Sequence, residues 1–414
     1  MTVELKILDL NFWGVWLISK HIQQRLAALI QVLEEPTAPW DLVVLQEVWS
    51  DRDYNQLASR IQHNYPHTYY FHSGVIGSGV CVFSRGPIVS VLCHRYSLNG
   101  YAHKVWHGDW FGGKVAGLCK IVHKGLRINL YATHVHAEYD READTYLAHR
   151  IVQAYELSQF IRCTNAADDD INIVAGDFNF EPTDLGYQIV TQFAELKDSC
   201  TFALPAGDAA EVNTCNTPDN VYSICEGKHD KVPRGKRIDF VMFGQVGGRT
   251  KVQCSESRTV LNRIPDSPLC YSDHKGLQVT LQVATEADTE FLAEPMTPEP
   301  KTVGETYAAA VGILEGALQK VRWDRRFFYA LMSAAFVGLL STVDSDSQAS
   351  AAPRWAMLAV RVLLVVLMVG ALWMAAILSR IEYHSLLATR NAMRIQQEHL
   401  YSANPLLRVV SDKK

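Results

Sequence analysis

The chain has 414 residues, 39 basic and 44 acidic side chains for a formal charge of −5, 48% hydrophobic residues and 20% charged ones. That length excludes a lone small binding module. The acidic balance disfavours a nucleic-acid partner, which needs a basic surface to displace counterions, and the apolar content excludes a disordered chain. Nine cysteines without a CxxC pair, and a start MTVELKILDL without a basic-then-apolar leader, lead us to expect reduced thiols and a cytosolic catalytic region.

In chain order, the pattern predicts a strand VELKILDLN, a helix over 20–34, a strand DLVVLQEV and a helix over 51–63. Strand candidates follow at VCVFSR, PIVSVLCHRY, KVAGLCKIV and RINLYATHV, then a helix over Asp144 to Cys163 and strands INIVAGDFN, IDFVMF and GLQVTLQV. Strands outnumber helices and several are consecutive. The expected fold class is therefore α+β, a two-sheet β-sandwich flanked by helices rather than a doubly wound parallel sheet.

Residues 284–306 are rich in Thr, Glu and Pro and read as a linker closing a catalytic domain over 1–283. Residues 307–326 carry Ala310, Val311, Leu314, Leu318 and Val321 at helical spacing. That suits either an amphipathic helix on a membrane surface or a helix packed on the domain. Phe327 to Val343 holds no charge and Trp355 to Leu378 holds only Arg361, so spans over 327–343 and 355–378 are expected to form a transmembrane hairpin. Lys320, Arg322, Arg325 and Arg326 precede the first span, and Arg380, Arg390 and Arg394 follow the second, which puts both flanks and a tail over 379–414 in the cytosol. The expectation is a two-pass integral membrane protein. A short first span suits a thin bilayer such as that of the endoplasmic reticulum or another intracellular membrane, and the hairpin gives a surface for homo-oligomers.

Polar residues recur at the carboxyl ends of predicted strands: Asn11, Glu47, His134, Asp177 with Asn179, Asp239, and Asp273 with His274. Each alone reads as a turn or surface residue, and Asp-X-Asn is commonly an Asx turn. Strand ends, however, let side chains from remote segments converge on one pocket. Hard oxygen donors suit Mg²⁺ or Mn²⁺, and Mg²⁺ needs only one or two carboxylates because it keeps several waters. Glu47 is the expected ligand, with Asn11 beside it.

In order, LNFWG, LQEVW, ATHVHAEY, GDFN, RID and SDH resemble the signature of the endonuclease/exonuclease/phosphatase superfamily of metal-dependent phosphodiesterases. SGVIGSGVCVFSR, YSLNGY, HGDWFGGK and THVHAEYDREADTYLAHR resemble its neutral sphingomyelinase branch. The resemblance implies phospholipase C-type hydrolysis of sphingomyelin to ceramide and phosphocholine, extending to lyso-phosphocholine lipids, with Mg²⁺ as cofactor and Mn²⁺ able to substitute. It implies that Asp177 positions or deprotonates the attacking water, that Asn179 bonds the phosphate, that Asp239 pairs with His274, and that Asp273 supports the metal. His134 matches a phosphate-contacting position, and His136 either joins it or is a surface histidine. HGDWFGGK is not a P-loop. Its Asp109 and Lys114 are candidate gating or substrate contacts if the loop is mobile, or parts of a hairpin turn. Trp13, Trp16, Trp49, Trp106, Trp110 and Phe111 suit core packing, insertion at an interface or a cation–π face for choline. A nuclease or an inositol-phosphate phosphatase would use the same constellation, and a non-enzymatic membrane scaffold would keep only the fold. The two spans and the absent basic stripe favour a membrane lipid as partner.

Overall fold

A computed structural model describes residues 2–203, 212–224, 233–285, 300–343 and 351–403. The chain divides into two compact units, Met1–Thr306 and Tyr307–Lys414. Among its described residues the first contains twelve strands: β1 Thr2–Asn11, β2 Leu42–Gln46, β3 His67–Tyr70, β4 Cys81–Ser84, β5 Ile88–Arg95, β6 Val115–His123, β7 Leu126–His134, β8 Ile171–Asp177, β9 Lys197–Asp198, β10 Asp239–Gln245, β11 Thr250–Val260 and β12 Gly276–Thr285. They form two six-stranded sheets, ordered β11-β12-β1-β2-β4-β3 and β5-β6-β7-β8-β10-β9. Helices α1 Ile22–Glu34, α2 Asp51–Ile61, α3 Leu147–Thr164 and α4 Leu185–Phe193 accompany them. The expected two-sheet sandwich with flanking helices is present.

Strand parity explains the layers, since alternate side chains point to opposite faces. On β1, Leu5 and Ile7 join one core with Val44 of β2, Leu130 of β7, Ile173 of β8 and Val241 of β10, which is the seam between the sheets. Leu8 and Leu10 face the other way and pack with Leu26 and Leu29 of α1 and Leu57 of α2. The seam is apolar along most of its length. At one end its same-parity positions turn polar, and that end holds the site.

Sequence periodicity missed β3, β9, β11 and α4. β11 is an edge strand whose alternate residues, such as Gln253, Ser255 and Ser257, stay only partly buried, so its hydrophobic signal is weak.

The helix Pro300–Ser341, most of which belongs to the second unit, runs unbroken through positions expected as linker, amphipathic helix and first span. The second run goes from Ala351 to Trp373, makes one π-helical turn over Met374–Leu378, and continues to Ala403. The two runs are antiparallel: Tyr307 bonds Gln396 at 2.8 Å, Arg322 bonds Tyr383 at 3.2 Å, and Arg361 bonds Thr342 Oγ1 at 3.1 Å. Arg361, the costly charge of the second span, is thus hydrogen-bonded to its neighbour. Among the described residues one helix, within Arg354–Ala403, is long and apolar enough to cross a membrane. Most of the expected linker, the connecting loop over 344–350 and the end of the tail lie outside the described residues.

Candidate active site

The polar end of the seam collects same-parity residues from five strands. Asp9 and Asn11 follow Leu5 and Ile7 on β1; Gln46 follows Leu42 and Val44 on β2; His134 follows Leu130 and Ala132 on β7; Asp177 follows Ile173 and Ala175 on β8; Asp239 precedes Val241 and Phe243 on β10. Register aligns them: Asn11 lies opposite Gln46, His134 opposite Asp177, and Asp177 opposite Asp239. Asp239 therefore starts its strand, and Asp273 and His274 precede theirs, where the sequence had placed all three at carboxyl ends. β10 is antiparallel to β8 and β12 is antiparallel to β1, so these starts reach the same edge.

Asn11 is the hub. Its amide nitrogen donates to Glu47 Oε1 at 3.0 Å and to Asp177 Oδ2 at 2.9 Å, while its oxygen accepts the backbone N–H of Trp13 at 2.9 Å. That last bond fixes the amide orientation, so Asn11 aligns two carboxylates through its nitrogen. Glu47 stands just after β2 with φ of 57°, a left-handed conformation that turns its side chain back over the strand end. Asn179 is also left-handed at 49°, and its backbone N–H donates to Asp177 Oδ1 at 2.9 Å. GDFN is thus an Asx turn, not the extended segment expected, yet both of its polar side chains line the cleft. Gly176 allows this close crossing: a Cβ there would sit 2.0 Å from the carbonyl oxygen of Thr133.

His274 bonds Asp239 Oδ2 through Nδ1 at 2.8 Å, which leaves Nε2 as the ring's other polar atom. Lys114, 2% exposed, bonds His134 Nε2 at 2.7 Å and the carbonyl of Val135 at 3.1 Å, and pairs with Asp109 at 3.0 Å. Tyr139 stacks on His107 at 3.9 Å and donates to Asp109, tying the HGDWFGGK loop to the segment after β7.

Burial sets the protonation states. It pushes Asp177 up to about 7, helped by the nearby charge of Asp239, and pushes Asp273 up to about 6. Burial disfavours a charged His274, but Asp239 outweighs it and holds the imidazolium well above the usual histidine range. His134, buried beside Lys114, is held neutral well below that range, and burial brings His136 down to about 3. Burial raises Asp109, yet Lys114 and His136 overcome it and keep its carboxyl ionised.

Asn179, Asp177, His134, His274, Glu47, Asp273, Asp109 and Lys114 all line one cleft of about 640 Å³. Asn11 and Asp239 lie just beneath it, in contact with Asp177 and His274. His136 does not line it. It is wholly buried, bonds the carbonyl of Ala137 at 2.8 Å and stacks on Tyr146 at 4.1 Å, so the surface-histidine alternative falls and a direct substrate contact is not what its position offers. Asp9, Gln46 and Arg25 were missed. Asp9 accepts from Gln46 at 2.7 Å beneath the site, and Arg25, fully buried, donates to the carbonyls of Phe12, Trp13 and Tyr271, holding the loop after Asn11. Parity with Asn11 could have found Asp9; nothing local in the sequence marks Arg25.

The donor set fits a divalent cation. Ligand atoms of Glu47, His134 and Asp177 lie within 4.8 Å of one another, as do those of Asp177, Asp239 and His274. Glu47 Oε2 is buried without a hydrogen-bond partner, a costly arrangement for a carboxylate unless a cation meets it. Asp273 lines the cleft outside both sets.

Residues 19–274 match the Endonuclease/Exonuclease/phosphatase family, and the chain belongs to it. It is 40% identical over 357 residues, 82% of this chain and 80% of the relative, to a Caenorhabditis elegans protein whose name includes the words neutral sphingomyelinase. It is 39% identical over 282 residues to human sphingomyelin phosphodiesterase 2, an alignment that spans 68% of this chain and 65% of that protein. An inositol phosphosphingolipids phospholipase C of Schizosaccharomyces pombe is 31% identical over 68% of this chain and 69% of its own length. With these relatives, the chain is a phosphodiester hydrolase. A solved structure of D. rerio TDP2 with a single-strand DNA product shares the fold, with a TM-score of 0.52 at 17% identity, covering 67% of this chain and 98% of that one.

Proposed function

We propose that the chain hydrolyses sphingomyelin to ceramide and phosphocholine in a Mg²⁺-dependent, phospholipase C-type reaction at the cytosolic face of a membrane, and that lyso-phosphocholine lipids are handled by the same chemistry. The observation that carries this reading is the convergence of Glu47, Asp177, Asn179, His134 and the His274–Asp239 pair on one cleft, in a chain whose relatives are named for sphingolipid phosphodiester cleavage.

The residues divide the work by protonation state. Asp177, raised to about 7, is suited to take a proton from water near neutral pH, and Asn11 and the Asn179 N–H hold it in place. As the water oxygen bonds to phosphorus, the bond from phosphorus to the ceramide oxygen breaks. His274, cationic and held by Asp239, gives the proton from Nε2 to that departing oxygen. Lys114 offers fixed positive charge, and the Asn179 amide a hydrogen bond, to the phosphoryl oxygens. A divalent ion, held by Glu47 with Asp273 in support, would supply Lewis-acid charge at the phosphate. No side chain forms a covalent intermediate.

The anchor carries the lipid choice. An apolar helix long enough to span a bilayer confines the enzyme to a surface and raises its effective concentration toward headgroups. We propose a two-span hairpin with cytosolic flanks; a glycosylation acceptor inserted between residues 344 and 352 should be modified and one in 1–283 left bare. The decisive assay offers sphingomyelin, a lyso-phosphocholine lipid and phosphatidylcholine side by side, with and without Mg²⁺. Preferential, Mg²⁺-dependent release of phosphocholine from sphingomyelin is expected. Inertness toward it, with turnover of an oligonucleotide or an inositol phosphate, would overturn the reading.

A further inference from the structure

We propose that the mouth of the catalytic cleft is a lipid-docking rim: four loops whose apolar tips enter the headgroup boundary of a bilayer and seat the cleft over a lipid held there. The proposal rests on the lipid-phosphodiesterase reading for its choice of a bilayer.

Large apolar side chains stand exposed at the tips of the segments that frame the cleft. In the loop after β1, Trp16, Leu17 and Ile18 are 79%, 82% and 65% exposed. Across the mouth, Val75 and Ile76 protrude from the loop before β4, and Val105 and Trp106 from the segment before β6. Ile224, also exposed, stands two residues beyond Tyr222, whose ring packs on Trp13 of the first loop. Isolated exposed hydrophobics are ordinary, but four groups around one opening form a patch of the kind that marks an interaction surface.

The loops are braced against one another. Backbone N–H groups of Val75 and Ile76 donate to the carbonyl of Phe111, at 2.9 and 3.3 Å, and Trp13 packs on Tyr222 with ring centroids 5.1 Å apart. Leu17 adopts φ of 73°, a left-handed conformation that is costly for a bulky side chain. A leucine placed at such an apex with its side chain in water is poorly explained by stability.

A bilayer is the occupant these features fit. The patch is continuous with the cleft, because Trp16, Ile18, Ile76 and Trp106 line it together with Glu47, Asp177 and His274. A lipid phosphodiester must be drawn partly out of its leaflet to meet those groups, and an apolar collar covers the acyl region that is uncovered on the way. Indole rings favour the membrane–water boundary. Among the described residues the tips carry no acidic group, and exposed Lys20 flanks the first of them, which suits phosphate headgroups.

The test uses the full chain reconstituted in phosphatidylcholine–sphingomyelin vesicles, where the apolar helix keeps every variant membrane-bound. Leu17→Glu, Val105→Glu and Ile224→Glu are combined; none of the three lines the cleft or packs in a core. Turnover of vesicle sphingomyelin should fall about tenfold or more, with hydrolysis of water-soluble p-nitrophenyl phosphocholine changed less than about twofold. Independently of turnover, tryptophan emission should be quenched by brominated phosphatidylcholine, and less so in a Trp16→Phe/Trp106→Phe variant. Equal losses on both substrates, or identical quenching of wild type and the double variant, would overturn the rim. Intact differential quenching without sphingomyelin turnover would keep the rim and reject the substrate.

Discussion

Replacing Asp239 with Asn is the most informative single change, because it acts on both proton-transfer groups at once. The Asp239 carboxylate lies 2.8 Å from His274 Nδ1 and raises the pKa of its buried neighbour Asp177. Asn at this position keeps the volume and removes the charge. His274 then loses the partner that outweighed its burial, so the imidazolium becomes harder to keep at neutral pH. A charge-assisted bond of this kind, lost in a desolvated site, corresponds to about 3 kcal/mol in the transition state, or roughly 10²-fold in kcat. The pH profile carries the sharper signature. The acid limb reports the base, Asp177, and should move to lower pH once Asp239 no longer repels its charge. The alkaline limb reports the acid, His274, and should also move to lower pH. The whole bell therefore shifts in the acidic direction while KM changes little. Initial rates on detergent-solubilised sphingomyelin across pH 5–9 at saturating Mg²⁺ would measure it. An alkaline limb that stays in place would refute the assignment of His274 as proton donor, and an unmoved acid limb that of Asp177 as base.

Other consequences can be checked separately. Glu47→Gln, which removes the charged oxygen pair with one atom unpartnered, should raise the Mg²⁺ concentration for half-maximal activity about tenfold or more; an unchanged metal titration contradicts it. Lys114→Met strands Asp109 as a buried unpaired carboxylate and should cost about 3–5 kcal/mol in denaturant unfolding, with most of that recovered in Asp109→Asn/Lys114→Met; no recovery would show that the pair is not the cause. Buried His136 stays neutral down to about 3 when folded, whereas an unfolded histidine takes a proton near 6.5. The unfolded state thus binds more protons between those values, and stability should fall as pH drops from about 6.5 toward 3. His136→Asn should flatten that slope, and an unaltered slope would reject the assignment.

How far the sequence reaches depends on the range of the forces involved. The sandwich was legible because nine of its strands alternate or run apolar strongly enough to announce themselves, and because Asp177, His274 and their partners stand at strand ends. Roles that depend on remote contacts were not. Nothing local marks Asn11 as a clamp; only the bonds from its amide nitrogen to Glu47 and Asp177, 36 and 166 residues away, reveal it. His136 read as an i+2 companion of His134, but the strand ends at His134, the alternation stops there, and Gln153 of α3 receives the His136 N–H at 2.8 Å. Lys114 looked like a turn residue because its partners, His134 and Val135, come from the neighbouring strand's end some twenty residues on. Arg25 lies in a helix, and only the carbonyls of Phe12 and Trp13 on one segment and of Tyr271 on another show why it is buried.

The crowding of carboxyls leads to one more measurable consequence. Asp9, Asp177 and Asp239 share one buried corner, Glu47 and Asp273 flank it, and burial with mutual repulsion raises Asp9 well above the carboxylate range, Asp177 to about 7 and Asp273 to about 6. A group raised to about 7 holds roughly half a proton at neutral pH. A divalent cation held by Glu47 beside Asp177 favours the ionised form of that neighbour, so its binding displaces that fraction, and more as the pH is lowered. Calorimetric titration of the full chain with Mg²⁺ at pH 6.5, in PIPES and in imidazole, should give enthalpies that differ in proportion to the two buffers' ionisation heats. The slope should correspond to roughly 0.5–1 proton released per ion and should shrink at pH 8. Asp177→Asn should remove most of it. Enthalpies that agree between buffers at pH 6.5, with binding otherwise intact, would mean that the ion does not sit beside Asp177, and the placement of the metal at Glu47 would have to be redrawn.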